Sequence, residues 1–132
     1  MRLTSRSEYA MLALIYMARK SEERVSVSEV AKAQNIPIKF LEQIFQTLKA
    51  AQFVVSSKGR GGGYRLQRAP VEISLAQVVR AFDGHLAPSE SVSRFYYRST
   101  PVEREKKLVR VLQEVRDETA KIMERSTLLD ML

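Results

Sequence analysis

Four of the chain's five glycines lie within five positions, and this cluster constrains the fold more than any other feature of the sequence. Phe53, Val54 and Val55 precede it, and an extended pattern resumes at Arg65. Glycines between two short extended runs predict a β-hairpin whose tip adopts positive φ angles and approaches another surface closely. No acidic residue lies between positions 58 and 68, so the hairpin is predicted to be basic. Its charges are Lys58, Arg60, Arg65 and Arg68.

Two helices are predicted immediately before the hairpin. Ser26 and Glu29 form a capping-box pattern at the start of the first, and Asn35 tolerates the left-handed conformation in which helices end. Pro37 opens the second, because the first turn of a helix needs no N–H from it. The apolar stripe of this second helix consists of Phe40, Leu41, Ile44, Phe45 and Leu48. Its polar face consists of Lys39, Glu42, Gln43, Gln46 and Thr47.

A short helix, a tight turn and a second helix with a hydrogen-bonding outer face predict a helix-turn-helix, and the basic hairpin behind it makes a winged helix. Further helices are predicted over residues 5–19 and from Ser74, where Gln77 completes a capping box, to Gly84. The predicted fold class is therefore mainly α with a small β-hairpin, a winged helix-turn-helix followed by a long C-terminal dimerisation helix.

The long C-terminal helix is predicted to start at Thr100 and Pro101 and to end near Arg125. Apolar and small residues recur along it at heptad spacing, at Leu108, Leu112, Val115, Thr119, Ile122 and Ser126. At 1.5 Å per residue the helix would extend roughly 35–40 Å, too far for one small domain to cover. We therefore expect a partner helix and a homodimer. The segment 86–100 before it has no clear period, and such long loops are usually functional or disordered.

The charge of the chain favours a polyanionic partner. The chain has 132 residues with 22 basic and 15 acidic side chains, a formal net charge of +7. Residues 1–86 carry 13 basic and 7 acidic side chains, whereas residues 87–132 carry 9 and 8. The excess lies in the predicted winged helix, so we expect it to meet double-stranded DNA. Binding to a membrane surface is disfavoured because the basic residues lie on a hairpin rather than along one helix face.

The composition excludes several classes of site. The chain has no cysteine and one histidine, His85, which excludes disulfides, thiol catalysis and His-rich zinc sites. The glycine cluster is not a dinucleotide loop, since that motif needs glycine at Tyr64 and a helix afterwards. We expect no enzyme and no cofactor. The longest apolar run, Tyr9 to Ala18, is about half a membrane span, and without an export signal we expect a cytoplasmic protein.

Three stretches resemble the Rrf2 family of bacterial winged-helix transcription regulators, which includes iron–sulfur and nitric-oxide sensors. They are Met1 to Ser5 with Tyr9 and Ala10, Ile36 to Ile44, and Lys58 to Leu66; the ending, Ser126 to Leu132, also resembles the family's tail. The resemblance implies a homodimer whose long helix crosses to the other subunit. The candidate DNA-binding residues are Arg2, Ser5, Arg6, Pro37, Lys39, Phe40, Glu42, Gln43, Gln46, Lys58, Gly59, Arg60, Gly61, Gly62 and Tyr64.

The loop before the long helix departs from the family's sensor members, which hold their cluster there with cysteines. Ser91 and Ser99 stand where similar loops often carry cysteine. Glu8 matches an acidic ligand of some relatives, but it cannot hold a cluster alone because iron–sulfur units require thiolates. Either the chain is naturally free of a cluster or its cysteines have been replaced. The cluster Phe95 to Arg98 is either an effector pocket or a hydrophobic patch that pins the loop against the dimerisation helix.

The sequence predicts a sequence-specific DNA-binding regulator, a repressor, acting as a homodimer on a palindromic operator. The alternative is a regulatory protein-interaction module whose activity depends on a bound metabolic enzyme, as in some cluster-free relatives. The predicted organisation is a winged-helix DNA-binding domain over residues 1–85, a sensor or effector loop over residues 86–100, and a dimerisation helix with its tail over residues 101–132.

Overall fold

The computed structural model describes residues 1–21, 23–59 and 62–132. The five α-helices of these residues are α1 (Ser5–Arg19), α2 (Val27–Gln34), α3 (Ile38–Ala50), α4 (Leu75–Asp83) and α5 (Lys106–Arg125). The strands β1 (Val54–Ser57) and β2 (Gly63–Leu66) form an antiparallel hairpin between α3 and α4. The predicted fold class is confirmed. Within the described residues, no helix is both long and apolar enough to cross a membrane.

Local capping signals set most helix ends as predicted. Ser26 is the N-cap of α2 and accepts from the Glu29 N–H at 3.0 Å, while Asn35 ends that helix with a φ of 55°. Ser74 and Gln77 form the predicted reciprocal capping box of α4. The Glu29 side chain does not complete its own box, because its carboxylate accepts instead from the Tyr16 hydroxyl at 2.6 Å.

The core is built where α1, α2 and α3 meet the hairpin and the C-terminal tail. Leu14, Leu41, Phe45 and Val54 are fully buried in it, and Leu128 of the tail joins them. Leu128 is held by its N–H, which donates to the Ile73 carbonyl at 3.0 Å. Because the buried stripe of α3 and Leu128 of the tail pack into the same core, the orientation of α3 in the domain is fixed. The outer face of α3 therefore has a fixed direction as well.

The assignment of Phe40 to the apolar stripe of α3 is wrong. Phe40 is 51% exposed, and its ring forms a T-shaped pair with the Tyr9 ring, with 6.4 Å between centroids. The buried stripe of α3 is Leu41, Ile44, Phe45 and Leu48. Phe40 lies at one edge of that stripe, in the first turn of α3 and about 100° around the helix from Leu41, where its side chain remains half exposed.

The hairpin pairs Val54 with Leu66 and Ser57 with Gly63, and a third segment joins it. Val25 and Tyr64 exchange two backbone hydrogen bonds of 2.8 Å. A Cβ at Gly63 would lie 2.6 Å from the Val25 carbonyl oxygen, so only glycine permits this close approach. Part of the glycine cluster therefore serves packing within the domain.

The predicted start of the C-terminal helix at residues 100–101 is wrong. Residues Pro101–Arg104 form a 3₁₀ turn, Glu105 is extended with φ −110° and ψ 92°, and α5 begins at Lys106. The cap fails because the Glu103 carboxylate accepts from Tyr97 and Ser99 instead of returning to the Thr100 N–H. The predicted end at Arg125 is confirmed, and the 20-residue helix is about 30 Å long.

Candidate nucleic-acid interface

The outer face of α3 carries four polar side chains that the fold leaves unused. Lys39, Glu42, Gln43 and Gln46 are all exposed, and within the described part of the chain their side chains make no hydrogen bond or ion pair. They lie opposite the fully buried stripe of the same helix. Pro37 is the N-cap one residue before α3, where it is exposed with the rest of the helix N-terminus. The arrangement offers hydrogen-bond donors and acceptors on a rigid support.

The far end of α3 is fixed by Arg68. Its guanidinium donates to the Ala51 and Gln52 carbonyl oxygens, each at 3.2 Å, and stacks over the Phe53 ring at 4.5 Å. These bonds satisfy carbonyls beyond the helix end, where a cation is also favourable for the helix dipole. The sequence groups Arg68 with the basic charges of the hairpin, but in the structure its guanidinium binds the end of α3.

The N-terminus of α1 lies beside α3. Arg2 and Ser5 are exposed. Arg6 bridges two other helices: its guanidinium donates to the Thr47 hydroxyl of α3 at 3.1 Å and lies 5.4 Å from the centre of the Phe82 ring of α4. Arg6 therefore ties the α1 N-terminus to α3 as well as carrying charge at the surface.

The hairpin forms the second basic element of this surface. Lys58 and Gly59 are exposed, and Gly59 has the predicted positive φ, 92°, with open space where a Cβ would be. Gly62 is half-buried, and its N–H donates to the Gly59 carbonyl at 2.9 Å. The ring of Tyr64 packs on Phe45, with 4.6 Å between centroids, so it supports the hairpin from below. The candidates Arg60 and Gly61 lie outside the described residues.

The long helix α5 has two faces. Its inner face carries the buried Ala120 and contacts the domain through Arg116, which donates to the Val92 carbonyl at 2.9 Å, and Arg80, which pairs with Glu124 at 2.8 Å. Four large apolar side chains of its outer face are between 43% and 55% exposed: Leu108, Val111, Val115 and Ile122.

Three residues of the predicted heptad seam, Leu108, Val115 and Ile122, belong to this exposed outer stripe. Leu112 and Thr119 are half-buried at its edge, whereas Val111 was missed by sequence reasoning. Val111 follows Leu108 by three residues, a spacing that the alternation of three and four also allows. A second exposed apolar feature lies on α1, where Tyr9, Leu12 and Ile15 line a groove of about 390 Å³ together with Leu75 and Met131.

The loop over residues 86–100 displays three neighbouring aromatic side chains. Phe95 is 71% exposed, with the Arg80 guanidinium 5.2 Å from its ring centre, and Tyr96 and Tyr97 are also exposed. The Tyr97 hydroxyl donates to Glu103 at 2.5 Å. This bond raises the pKa of Tyr97 above its ordinary value and holds the pKa of Glu103 below its own.

The donor set of this loop does not suit an iron–sulfur cluster. Ser91 lies with its hydroxyl 2.9 Å from that of Ser89, and the Ser99 hydroxyl donates to Glu103 at 2.8 Å. Hydroxyls do not replace the thiolates that such clusters need, and the sequence contains no cysteine. Across the described ranges, no group of three histidine, cysteine or acidic side chains stands close enough to share a metal ion.

We expect that the purified protein is colourless and takes up no iron–sulfur cluster during anaerobic reconstitution with iron and sulfide. Iron and sulfide analysis together with a visible absorption spectrum checks this, with a cysteine-containing cluster protein as the positive control. Stoichiometric iron and sulfide with charge-transfer bands would contradict it, since the ligands would then have to be groups other than cysteine thiolates.

Known proteins share this sequence and architecture. An rrf2-like HTH-type transcriptional regulator of Rhodobacter capsulatus is 37% identical over 100 residues, covering 73% of this chain and 67% of that protein. The transcriptional regulator IscR of Aliivibrio salmonicida is 39% identical over 84 residues, covering 63% of this chain and 50% of IscR. The chain therefore spans only about half to two thirds of the length of these relatives.

Solved structures agree over nearly the full chain. The structure of CymR, described as the global cysteine regulator of B. subtilis, has a TM-score of 0.80 at 25% identity and covers 99% of this chain and 95% of its own. A transcriptional regulator from Listeria innocua, at 21% identity and a TM-score of 0.81, shows the same fold, covering 99% of this chain and 85% of its own. The Rrf2 family model, described as an iron-dependent transcriptional regulator, matches residues 3–132. With that match spanning almost every residue, the chain belongs to the Rrf2 family.

Proposed function

We propose that this protein regulates transcription as a homodimer that binds a palindromic DNA operator in a sequence-specific manner. The observation that carries the proposal is the outer face of α3, opposite its fully buried stripe, where exposed polar side chains have no partner among the residues that the structure describes. The names of the relatives, all HTH-type transcriptional regulators, support DNA as the partner. No enzymatic family is indicated.

We assign the contacts with base edges to α3. Its N-terminal half enters the major groove, where Gln43 can contact adenine with two hydrogen bonds and Glu42 can accept from cytosine. Lys39 reaches guanine or phosphate. The exposed Arg2 and Ser5 at the start of α1 and the hairpin residues Lys58 and Gly59 contact phosphate or the minor groove, where a narrow glycine-rich tip fits.

The homodimer is proposed from the outer stripe of α5. A stripe of large apolar side chains along a helix is normally covered, because exposing it to water costs free energy. A second copy supplies the cover in two ways: α5 against α5, and α5 in the groove of α1 lined by Leu12 and Ile15. A two-fold axis between the copies implies a palindrome whose half-sites are one or more helical turns apart.

The proposed effect on transcription is repression, since a dimer bound across a promoter excludes the polymerase. The proposed location of the protein is the cytoplasm. We retain the division into residues 1–85 for DNA, 86–100 for a signal and 101–132 for dimerisation. The exposed aromatic side chains Phe95, Tyr96 and Tyr97 favour the second candidate function, a docking surface for a regulatory protein such as a metabolic enzyme.

Selection of bound sequences from a random pool of duplex DNA tests the proposal. We expect enrichment of an inverted repeat with half-site centres separated by about 10.5 base pairs or a multiple of it. A Gln43→Ala, Lys39→Ala double variant, carried through the same selection, is the matched control and should lose the enrichment. Recovery of unrelated sequences by the wild-type protein would contradict sequence-specific binding.

A further inference from the structure

Asp83 makes a set of contacts that neither the proposed base reading nor the dimer uses. It is the last residue of α4, and its carboxylate accepts from the Thr4 hydroxyl at 2.5 Å, the Ser7 hydroxyl at 2.7 Å and the Thr4 N–H at 3.3 Å. Thr4 is the N-cap of α1, and Ser7 is fully buried. One carboxylate thus joins the C-terminal end of one helix to the N-terminal end of another.

The residue before Asp83 extends this junction to α3. The ring of Phe82 supports the guanidinium of Arg6, and Arg6 donates to the Thr47 hydroxyl of α3. Residues 82 and 83 together therefore hold the first turn of α1 against α4 and, through Arg6, against the helix that carries Gln43. Ser5 reaches the surface in this first turn, and Arg2 is exposed three residues before it.

The electrostatic effects on an acidic residue at position 83 oppose one another. At the N-terminus of α1 a negative charge is favourable, but at the C-terminal end of α4 the helix dipole opposes it. Beside a surface that meets a polyanion, a carboxylate also repels the ligand. The three hydrogen bonds indicate that the carboxylate holds Thr4 and Ser7 in place. These two residues belong to the segment that carries Arg2, Ser5 and Arg6.

We infer that Asp83 is a positioning residue for DNA binding, which clamps the first turn of α1 so that its exposed charges and α3 engage one DNA site together. The inference rests on the proposed function. Asp83 itself does not touch DNA. It acts through Thr4 and Ser7, so removing its charge weakens DNA binding although it makes the protein more positive.

The test compares Asp83→Asn with Asp130→Asn as the matched control. Asp130 accepts from the Thr127 N–H at 2.9 Å and from its hydroxyl at 3.3 Å, a similar cap confined to the C-terminal tail. Both variants lose one negative charge, and both are measured by Kd for a selected operator at several salt concentrations. Thermal unfolding confirms that each protein is folded at the assay temperature.

We expect Asp83→Asn to weaken binding roughly tenfold, which corresponds to about 1.4 kcal/mol. We also expect the slope of log K against log salt to become shallower by roughly one unit, which corresponds to the loss of about one phosphate contact. Asp130→Asn should bind as the wild type or slightly more tightly. Ser7→Ala removes one of the hydrogen bonds to Asp83 without any change in charge. It should raise Kd by a smaller factor than Asp83→Asn does. This variant replaces Asp83→Asn in the test if Asp83→Asn does not fold.

A double-mutant cycle measured on Kd tests whether Asp83 acts through Thr4. If Asp83 acts through Thr4, Asp83→Asn combined with Thr4→Val should weaken binding little more than either change alone. Equal or tighter binding by Asp83→Asn, or an unchanged Kd in Ser7→Ala, would overturn the inference while leaving the proposed function standing. Failure of the wild-type protein to bind any selected DNA would instead overturn the proposed function.

Discussion

Val111→Glu combined with Val115→Glu should convert the proposed homodimer to a monomer. Both side chains are about half exposed on the outer face of α5, so a charge there costs the monomer little. In the proposed dimer the same charges would be buried against apolar side chains, at a cost of several kcal/mol. Sedimentation velocity over a range of concentrations measures the change. Operator affinity should fall about 10²–10⁴-fold, because each half-site is then bound independently.

Val71→Glu is the matched control for this experiment. Val71 is also an exposed valine, at 57%, but it lies in the 3₁₀ turn Pro70–Glu72 between β2 and α4 and is not part of the outer face of α5. The control should sediment as the wild type and bind the operator unchanged. A dimer that persists in the α5 variant would place the interface elsewhere on the chain. In that event the stripe of Leu108, Val111, Val115 and Ile122 would need another occupant.

Gln43→Ala should cost about 1–3 kcal/mol of operator affinity and relax the preference at one base pair. Gln43 is exposed on α3 and its side chain has no partner among the described residues, so the change leaves the fold intact. Lys58→Ala, on the hairpin, should instead weaken all sequences alike and flatten the salt dependence by roughly one unit of slope. Binding titrations against salt and against single-base operator variants distinguish the two effects.

The opposite outcome would reverse the assignment of α3 and the hairpin. If Lys58→Ala altered base preference and Gln43→Ala altered only the salt slope, the hairpin would be the reading element. Lys49→Ala is the control for general electrostatics, since Lys49 is an exposed cation in the last turn of the same helix. It should change the slope by less than Lys58→Ala, because the proposed docking inserts the N-terminal half of α3.

Features that depend on neighbours within four residues could be predicted from the sequence. The Ser74–Gln77 capping box, the left-handed Asn35 and the end of α5 at Arg125 all appear where the sequence places them. Each rests on a hydrogen bond or a backbone conformation that the local residues supply themselves. The same local signals misplaced the start of α5, because Tyr97 and Ser99 compete for the Glu103 carboxylate.

The roles of individual charged residues depended on tertiary structure. In the sequence Arg68 belongs to the basic run of the hairpin, and only the packing of the hairpin against α3 brings its guanidinium to the Ala51 and Gln52 carbonyls. Phe40 belongs to the apolar pattern of α3, and only the direction in which α3 packs leaves it exposed.

By itself, the sequence determined the helix-turn-helix and the hairpin, because periodicity, capping and glycine content act over short distances along the chain. The family was indicated by the resemblance of its motifs and not by these patterns. The tertiary structure decided which side chains remain available at the surface. Asp83 and Thr4 are 79 residues apart, and no pattern links them in the sequence. Their contact exists because α1 and α4 pack against each other, and packing is a property of the whole core.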